Sequence, residues 1–336
     1  MYMKNRAADL SIIIVNYRSW DVLRECLYSF QEYPPALNYE VIVVDNDSQD
    51  DQFHSFQRDF PDIRLLANLG NYGFSHACNL GADEANADYL LFLNPDTCLT
   101  ELATLETMLY FAKQNSSVGI TSCRRRNKKG TYERDIAFLN LWLSFGWLRA
   151  IYRQLYKKSL KLRYPEGQAI WYPDWVSGCV VLISCELFKQ VDKWSENDFW
   201  MYSEDMDLCK KVHGQGKKIA LLRQVELKHA HGGSTRKNIQ ISALTKSEVI
   251  ISRHVYIQKH SKGFNCIALH ALTFSNAIST WLLRSVLSLP LFWTKAFKAN
   301  LLILSTVVSY YLSALTRKNW KSSRLPLPDN SNPKEY

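Results

Sequence analysis

Residues 10–15 form a nearly unbroken apolar run, and residues 39–44, 63–67 and 89–93 repeat that texture. Short apolar runs rich in β-branched residues suit strands buried on both faces of a parallel sheet. Between them the period changes. Residues 20–33 set Leu23, Leu27 and Phe30 on one face before Pro34-Pro35, and residues 75–87 turn Ala77, Leu80 and Ala85 to one side. Both stretches read as helices. Strand alternating with helix predicts an α/β fold. Further on, residues 102–114 read as a helix, 119–123 as a strand, 172–184 as strand around Gly178, and 219–222 as a strand leading into a short connection. In such a sheet the loops at the carboxyl ends of the strands build the binding crevice. Asn16-Tyr17, Asp45 to Ser48 and Asn94 to Asp96 all fall at those ends.

From residue 245 the pattern shifts to helix-length apolar segments. Residues 264–283 carry no Lys, Arg, Asp or Glu, about the length that spans a bilayer. Yet Thr273, Asn276, Thr280 and Arg284 recur at helical spacing opposite Ile267, Ala271, Phe274, Ile278 and Trp281, so this helix is expected to lie in a membrane interface rather than cross it. Residues 299–315 are also uncharged and meet Arg317, Lys318 and Lys321, suited to lipid headgroups; a spanning hairpin is the lesser option. Residues 136–164 mix Trp142, Phe145, Trp147 and Leu148 with Arg149, Arg153, Lys157 and Lys158, which fits an interfacial helix or a sheet-packing helix with a solvated basic face. The expected organisation is a catalytic domain over residues 1–240, a helical membrane-associating region over 241–325 and a polar tail over 326–336.

Composition narrows the classes. With 336 residues, 47% hydrophobic and 13% aromatic, the chain can bury a large core, which excludes disorder. The net charge of +9, with basic clusters at Arg124 to Lys129 and at Arg153 to Arg163, calls for an anionic partner. Nucleic acid is not that partner, because the basic residues alternate with leucine and tryptophan instead of forming a polar stripe. The eight cysteines show no CxxC pair or disulfide spacing and read as reduced core residues. The N-terminus carries Lys4, Arg6 and Asp9 without an apolar stretch, so the catalytic part is expected in the cytosol.

Three constellations carry chemistry. Asn94-Pro95-Asp96 follows a buried strand, where a carboxylate can hold a hard divalent cation bridging to a diphosphate; alone, the tripeptide fits a plain turn equally well. Glu204, Asp205 and Asp207 open a helix beside Trp200 and Tyr202. Acids there often only cap, yet desolvation by the aromatics would raise a carboxylate's basicity, as a general base requires. His229-Ala-His231-Gly-Gly-Ser234 offers imidazole as a further metal ligand and glycines that let backbone approach a phosphate.

Taken together, these motifs resemble the family-two inverting glycosyltransferases, specifically their rhamnosyltransferase-like branch, over residues 10–260. The resemblance rests on residues 11–17, 43–48, 68–74, 93–97, 178–179, 199–209 and 229–234, in that order. It implies a GT-A fold, a Rossmann-like mixed sheet flanked by helices, with a C-terminal helical membrane-associating region. It also implies that Asn16, Tyr17 and Asp45 contact the nucleoside, with Asn71, Gly73 and Asn94 on the donor side. Asp96 and His229 would hold Mg²⁺ or Mn²⁺, Asp205 would be the catalytic base with Glu204 beside it, and Gly178, Cys179 and Trp200 would face the acceptor. Asn94 replaces the first acid of the family's metal-binding element, and residues 192–196 and Cys179 depart from the branch's usual residues, which leaves the acceptor open.

The implied reaction is a single inverting displacement. Asp205 would deprotonate an acceptor hydroxyl while cation and basic groups stabilise the departing nucleotide diphosphate. The first-choice donor is dTDP-rhamnose, a UDP-hexose the second. The acceptor implied is a polyprenyl-diphosphate-linked saccharide of bacterial cell-surface polysaccharide assembly, at the cytoplasmic face of the inner membrane. A nucleotidyltransferase is discounted because Asn16 to Trp20 is not a glycine-rich basic loop, and a processive synthase because it needs more spanning helices. A degenerate transferase acting as a binding module is the competitor of another class; the retention of Asp96, Asp205 and His229 weighs against it.

Overall fold

The computed structural model describes residues 8–132, 138, 151–152, 154–155, 167–229 and 239–325. Four parallel strands open the chain: β1 (Ala8–Asn16), β2 (Tyr39–Asp45), β3 (Arg64–Ala67) and β4 (Ala87–Leu93). They are followed by β5 (Thr97–Leu99), β6 (Val118–Arg126), β7 (Ile170–Trp171), β8 (Val180–Ser184) and β9 (Lys218–His229). The sheet runs β3-β2-β1-β4-β8-β6-β9-β5, and β7 pairs with β9. It is mixed, since β8 is antiparallel to β4 and β6, and β5 and β7 are antiparallel to β9.

Helices cover both faces: α1 (Trp20–Glu32), α2 (Gln52–Asp59), α3 (Phe74–Asp83), α4 (Thr104–Gln114), α5 (Cys185–Gln190) and α6 (Glu204–Gly214). Alternation within β1 explains why its run is apolar throughout. Ile12 and Ile14 enter a core with Trp20, Leu23 and Phe30, while Ile13 joins Phe92, Phe188 and Trp194 on the opposite face. Each isoleucine is at most 1% exposed.

Several expected boundaries move. The helix expected over residues 75–87 ends at Asp83, because Ala87 already belongs to β4. Of residues 172–184 only the last five are strand, β8, and the part before it is loop. The strand expected at 219–222 continues unbroken to His229, since residues 224–229 alternate exposed and covered side chains as a half-buried strand does. α2 and β5 were not expected. α2 buries only Phe56, and β5 is three residues long, so neither carries a readable period.

The last elements are α7 (Ile239–His260), α8 (Gly263–Leu287), a 3₁₀ turn (Leu289–Leu291) and α9 (Lys295–Arg317). They share a third core of Ala243, Ile250, Ile251, Ala277, Trp281, Ile303, Val307, Tyr310, Tyr311 and Ala314. α8 buries Leu269, Thr273, Ala277, Trp281 and Ser285, spaced four apart. This corrects the expected stripe: Trp281 and Thr273 lie on the same packed face, whereas Ile267 and Phe274 are exposed. Thr273, Ala277 and Ser285 keep this face low while Leu269 and Trp281 fill the space beside them, and that packing outweighs the polarity of Thr273. Both α8 and α9 are long and apolar enough to cross a membrane by length and composition. The interfacial segment expected over residues 136–164 and the polar tail lie almost wholly outside the described residues.

Candidate active site

The candidate site forms where β1, β2 and β4 end, and the start of α6 and the end of β9 add Asp205 and His229. Asn16 closes β1, and its Nδ2 donates to Asp45 Oδ1 at the end of β2, 2.8 Å away. The Ser48 amide donates back to Asp45 Oδ2 at 3.1 Å, and Ser48 Oγ accepts the Arg18 amide at 2.8 Å. Asn16, Asp45 and Ser48 are all buried. Tyr17 is half-buried, with the Arg18 guanidinium 5.4 Å from its ring centroid.

A chain of amides continues the wall. Asn68 Nδ2 donates to Asn46 Oδ1 at 2.9 Å, and Asn46 Nδ2 donates to Asn71 Oδ1 at 3.0 Å and to the Gly73 carbonyl at 3.2 Å. Trp200 Nε1 donates to the Asn71 carbonyl at 3.1 Å, while the Phe74 amide donates to the Trp200 carbonyl at 2.9 Å. Gly73 has φ +99°, and a Cβ there would stand 2.2 Å from the Trp200 carbonyl oxygen. Only glycine meets both demands.

The Asn94 amide donates to the Cys179 carbonyl at 3.0 Å, and the Thr97 amide to the Asn94 carbonyl at 3.1 Å. The resulting turn delivers the chain into β5, whose Thr97 pairs with His229 at the end of β9. Asp96 Oδ1 and His229 Nε2 thereby come within 3.1 Å, with side chains 12% and 6% exposed. A carboxylate oxygen beside an imidazole nitrogen fits a hard or borderline divalent cation such as Mg²⁺ or Mn²⁺. Among the described residues no group of three or more His, Cys, Asp and Glu is placed to hold a metal ion, so Asp96 and His229 would leave most of an ion's coordination to other ligands. His231 to Ser234 lie outside the described residues.

α6 opens after Tyr202 and Ser203, both left-handed at φ 72° and 64°. Asp205 Oδ2 accepts the Gly178 amide at 3.2 Å and Oδ1 accepts the Met206 amide at 2.8 Å. Burial raises the Asp205 carboxyl above the usual aspartate range, against the pull of these N–H groups and of the Arg125 cation. Glu204 is 7% exposed, and its Oε2 has no hydrogen-bond partner among the described residues. Burial, then the neighbouring Asp205 charge, pushes its carboxyl well up. Asp207 is the opposite case. Burial opposes its charge, but bonds from His260 Nε2 at 2.7 Å and Ser195 Oγ at 2.6 Å, with Lys259 and Lys211 nearby, outweigh that and hold it at about 2.

The backbone of residues 178–179 joins the two halves, since Gly178 holds Asp205 and Cys179 holds Asn94. The Cys179 side chain is 2% exposed and packs in the core, in the turn that leads into β8. Arg125 was read as surface charge and is 2% exposed, near enough to act on Asp205. The run of three arginines concealed it, because β6 carries them alternately inward and outward.

The family model for Glycosyl transferase family 2 matches residues 11–167. The chain is similar to Low-salt glycan biosynthesis hexosyltransferase Agl10 of Haloferax volcanii, 30% identical over 228 residues that cover 66% of this chain and 67% of the relative. It also resembles an uncharacterized glycosyltransferase of Haemophilus influenzae, 29% identical over 127 residues, 37% of this chain and 42% of that one. Among solved structures, mannosyltransferase PcManGT from Pyrobaculum calidifontis in complex with GDP-Man and Mn²⁺ superposes with TM-score 0.55 at 17% identity over 95% of this chain and 92% of its own. GalNAc-T7 with UDP, GalNAc and Mn²⁺ superposes with TM-score 0.53 at 13% identity over 80% of this chain, which spans 55% of it.

Proposed function

The chain belongs to glycosyl transferase family 2 and has a GT-A-like fold, and on that premise we propose that it transfers a hexosyl group from a nucleotide-diphosphate donor to a saccharide hydroxyl with inversion at the anomeric carbon. The observation that carries this reading is the convergence, through residues 178–179, of Asn94 and Asp96 at the end of β4 with Asp205 at the start of α6. Asp205 takes the acceptor proton. Its raised basicity suits that task, and the Gly178 and Met206 amides keep its oxygens oriented.

Glu204 and Asp207 are poorer candidates. One is a buried acid with an unpaired oxygen that favours its neutral form, and the other is committed to Ser195, Lys259 and His260. This leaves a single carboxylate as base, which supports one displacement and inversion. Asp96 and His229 would hold Mg²⁺ or Mn²⁺, and such an ion would supply charge neutralisation to the leaving diphosphate. Asn16, Asp45 and the 46–73 amide chain form the nucleoside wall, with Tyr17 beside it.

dTDP-rhamnose is the first donor to test, by the branch that the motifs resemble. The hexosyltransferase name of the 30% identical relative favours the wider class and keeps UDP-hexoses in the test. The acceptor proposed is a polyprenyl-diphosphate-linked saccharide at the cytoplasmic face of a bacterial inner membrane. Two long apolar helices, α8 and α9, support a position at that surface. The decisive experiment incubates purified protein with a panel of nucleotide sugars and lipid-linked acceptors, with and without Mn²⁺, and reads the product's anomeric configuration by NMR. Product of retained configuration would sink the single-displacement mechanism, and no transfer from any donor would favour a degenerate binding module.

A further inference from the structure

α7 covers one side of α8 and α9 and leaves the turn between them bare. Leu287, Leu289, Leu291, Phe292 and Trp293 are 51–70% exposed and follow one another around Pro290. Contiguous exposed apolar surface of this kind marks a contact with lipid or a partner. Arg284 stands three residues before Leu287 on α8, about one helical turn behind the cap, and Lys295 and Lys298 lie in the first turn or so of α9. All three are exposed, and the Arg284 guanidinium lies 5.1 Å from the Trp281 ring centroid.

Charge selects the occupant. Residues 249–328 contain ten Lys and Arg and not one Asp or Glu. Lys259 and Lys321 pair with Asp198 and Arg324 with Glu248, away from the tip, whereas Arg284, Lys295 and Lys298 beside it are exposed. A second copy of the chain would set these same cations against their like, whereas an anionic lipid surface neutralises them. The packing also sets which part enters. Ala243 of α7 shares a core with Trp281 and Ile303, and the His254 Nε2 of α7 lies 2.9 Å from the Tyr311 hydroxyl of α9. α7 is tied in turn to the catalytic part through Ser252 to the Met201 carbonyl and Lys259 to Asp198. Most of the hairpin is thus flanked by α7, and the tip is free of it.

We propose that residues 282–298 are a membrane tip whose apolar cap enters the headgroup–acyl boundary of an anionic bilayer, with Arg284, Lys295 and Lys298 at the level of the lipid phosphates. The depth of about one helical turn matches the 5–10 Å burial typical of interfacial elements. This supplies the partner for the membrane-surface reading above and rests on it. Vesicle binding, however, is read without donor or acceptor, so a failure of docking and a failure of sugar transfer are told apart.

The test sediments the full chain with vesicles of phosphatidylcholine alone and of phosphatidylcholine mixed with phosphatidylglycerol. Wild-type protein should bind the mixed vesicles more tightly, and added salt should weaken that binding. A Phe292→Ser, Trp293→Ser double variant should lose binding roughly tenfold or more. Lys295→Gln with Lys298→Gln should lose the preference for anionic vesicles. All four positions are exposed, so thermal melting should match wild type. Absence of wild-type binding, equal binding by the aromatic double variant, or equal affinity for both vesicle types would overturn the proposal. So would a wild-type dimer in solution that the aromatic double variant dissolves.

Discussion

Asp205 Oδ2 accepts a hydrogen bond from the Gly178 amide at 3.2 Å, so the carboxylate that opens α6 is aimed by the loop that enters β8. Removing its charge while keeping its shape isolates the proton-transfer step. Asp205→Asn is expected to leave donor KM near wild type and to lower kcat by about 10²–10⁴-fold. Steady-state kinetics with saturating acceptor check this; normal turnover would move the base elsewhere.

The pH dependence follows from the sign of the shift. As the proposed base, Asp205 has to be unprotonated, and burial raises its carboxyl, so kcat/KM should fall with acid at a pH above the ordinary aspartate range. Arg125 pulls the carboxyl down, so Arg125→Gln should move that acid limb further up. A limb that stays in place or moves down would separate Arg125 from the base.

Asp96→Ala is expected to weaken Mn²⁺-dependent donor binding about tenfold or more, and His229→Ala to weaken it less, since carboxylate carries the charge that imidazole lacks. Calorimetric titration of donor with and without Mn²⁺ reads both. Donor affinity in the two variants equal to wild type at every Mn²⁺ concentration would remove the metal from this pair.

Gly73→Ala tests the joint between the two walls. The new Cβ meets the Trp200 carbonyl at 2.2 Å in a left-handed backbone, so a loss of about 1–3 kcal/mol is expected in thermal or urea unfolding. Wild-type stability would show that residues 71–74 and 200 are free to separate.

Asp207→Asn should destabilise by about 3–5 kcal/mol near neutral pH, because Lys259 and His260 lose a buried partner. A carboxyl held at about 2 stabilises fully above its unfolded value and loses that contribution as pH falls toward the folded one. The gap between variant and wild type in urea melts should therefore shrink on going from about pH 7 to about pH 3. A constant gap would point to lost packing instead.

The strands were legible wherever both faces are buried. Ile12, Ile13 and Ile14 leave no polar position to blur the run, and α1 shows its period through Leu23, Leu27 and Phe30. Elements shaped by partners far along the chain were not. β5 is strand because Thr97 meets His229, and the inward face of α8 is set by α7 and α9 rather than by its own hydrophobic stripe. The sequence singles out Asp96, Asp205 and His229 by residue type, and the structure brings Asp96 beside His229 and seats Asp205 on the Gly178 amide. The tasks of Asp207, Arg125 and the Cys179 carbonyl depend on contacts between distant segments, which no local pattern encodes.

The Trp200 carbonyl, which accepts the Phe74 amide and leaves no room for a side chain at Gly73, makes one hinge pin of two loops drawn from opposite halves of the chain. Under the proposed donor and acceptor sides, selection for a different nucleotide would therefore disturb the acceptor side as well. Swapping residues 68–74 between relatives should change both partners' affinities together, and a chimera faithful to its new donor would need the 195–207 segment from the same parent.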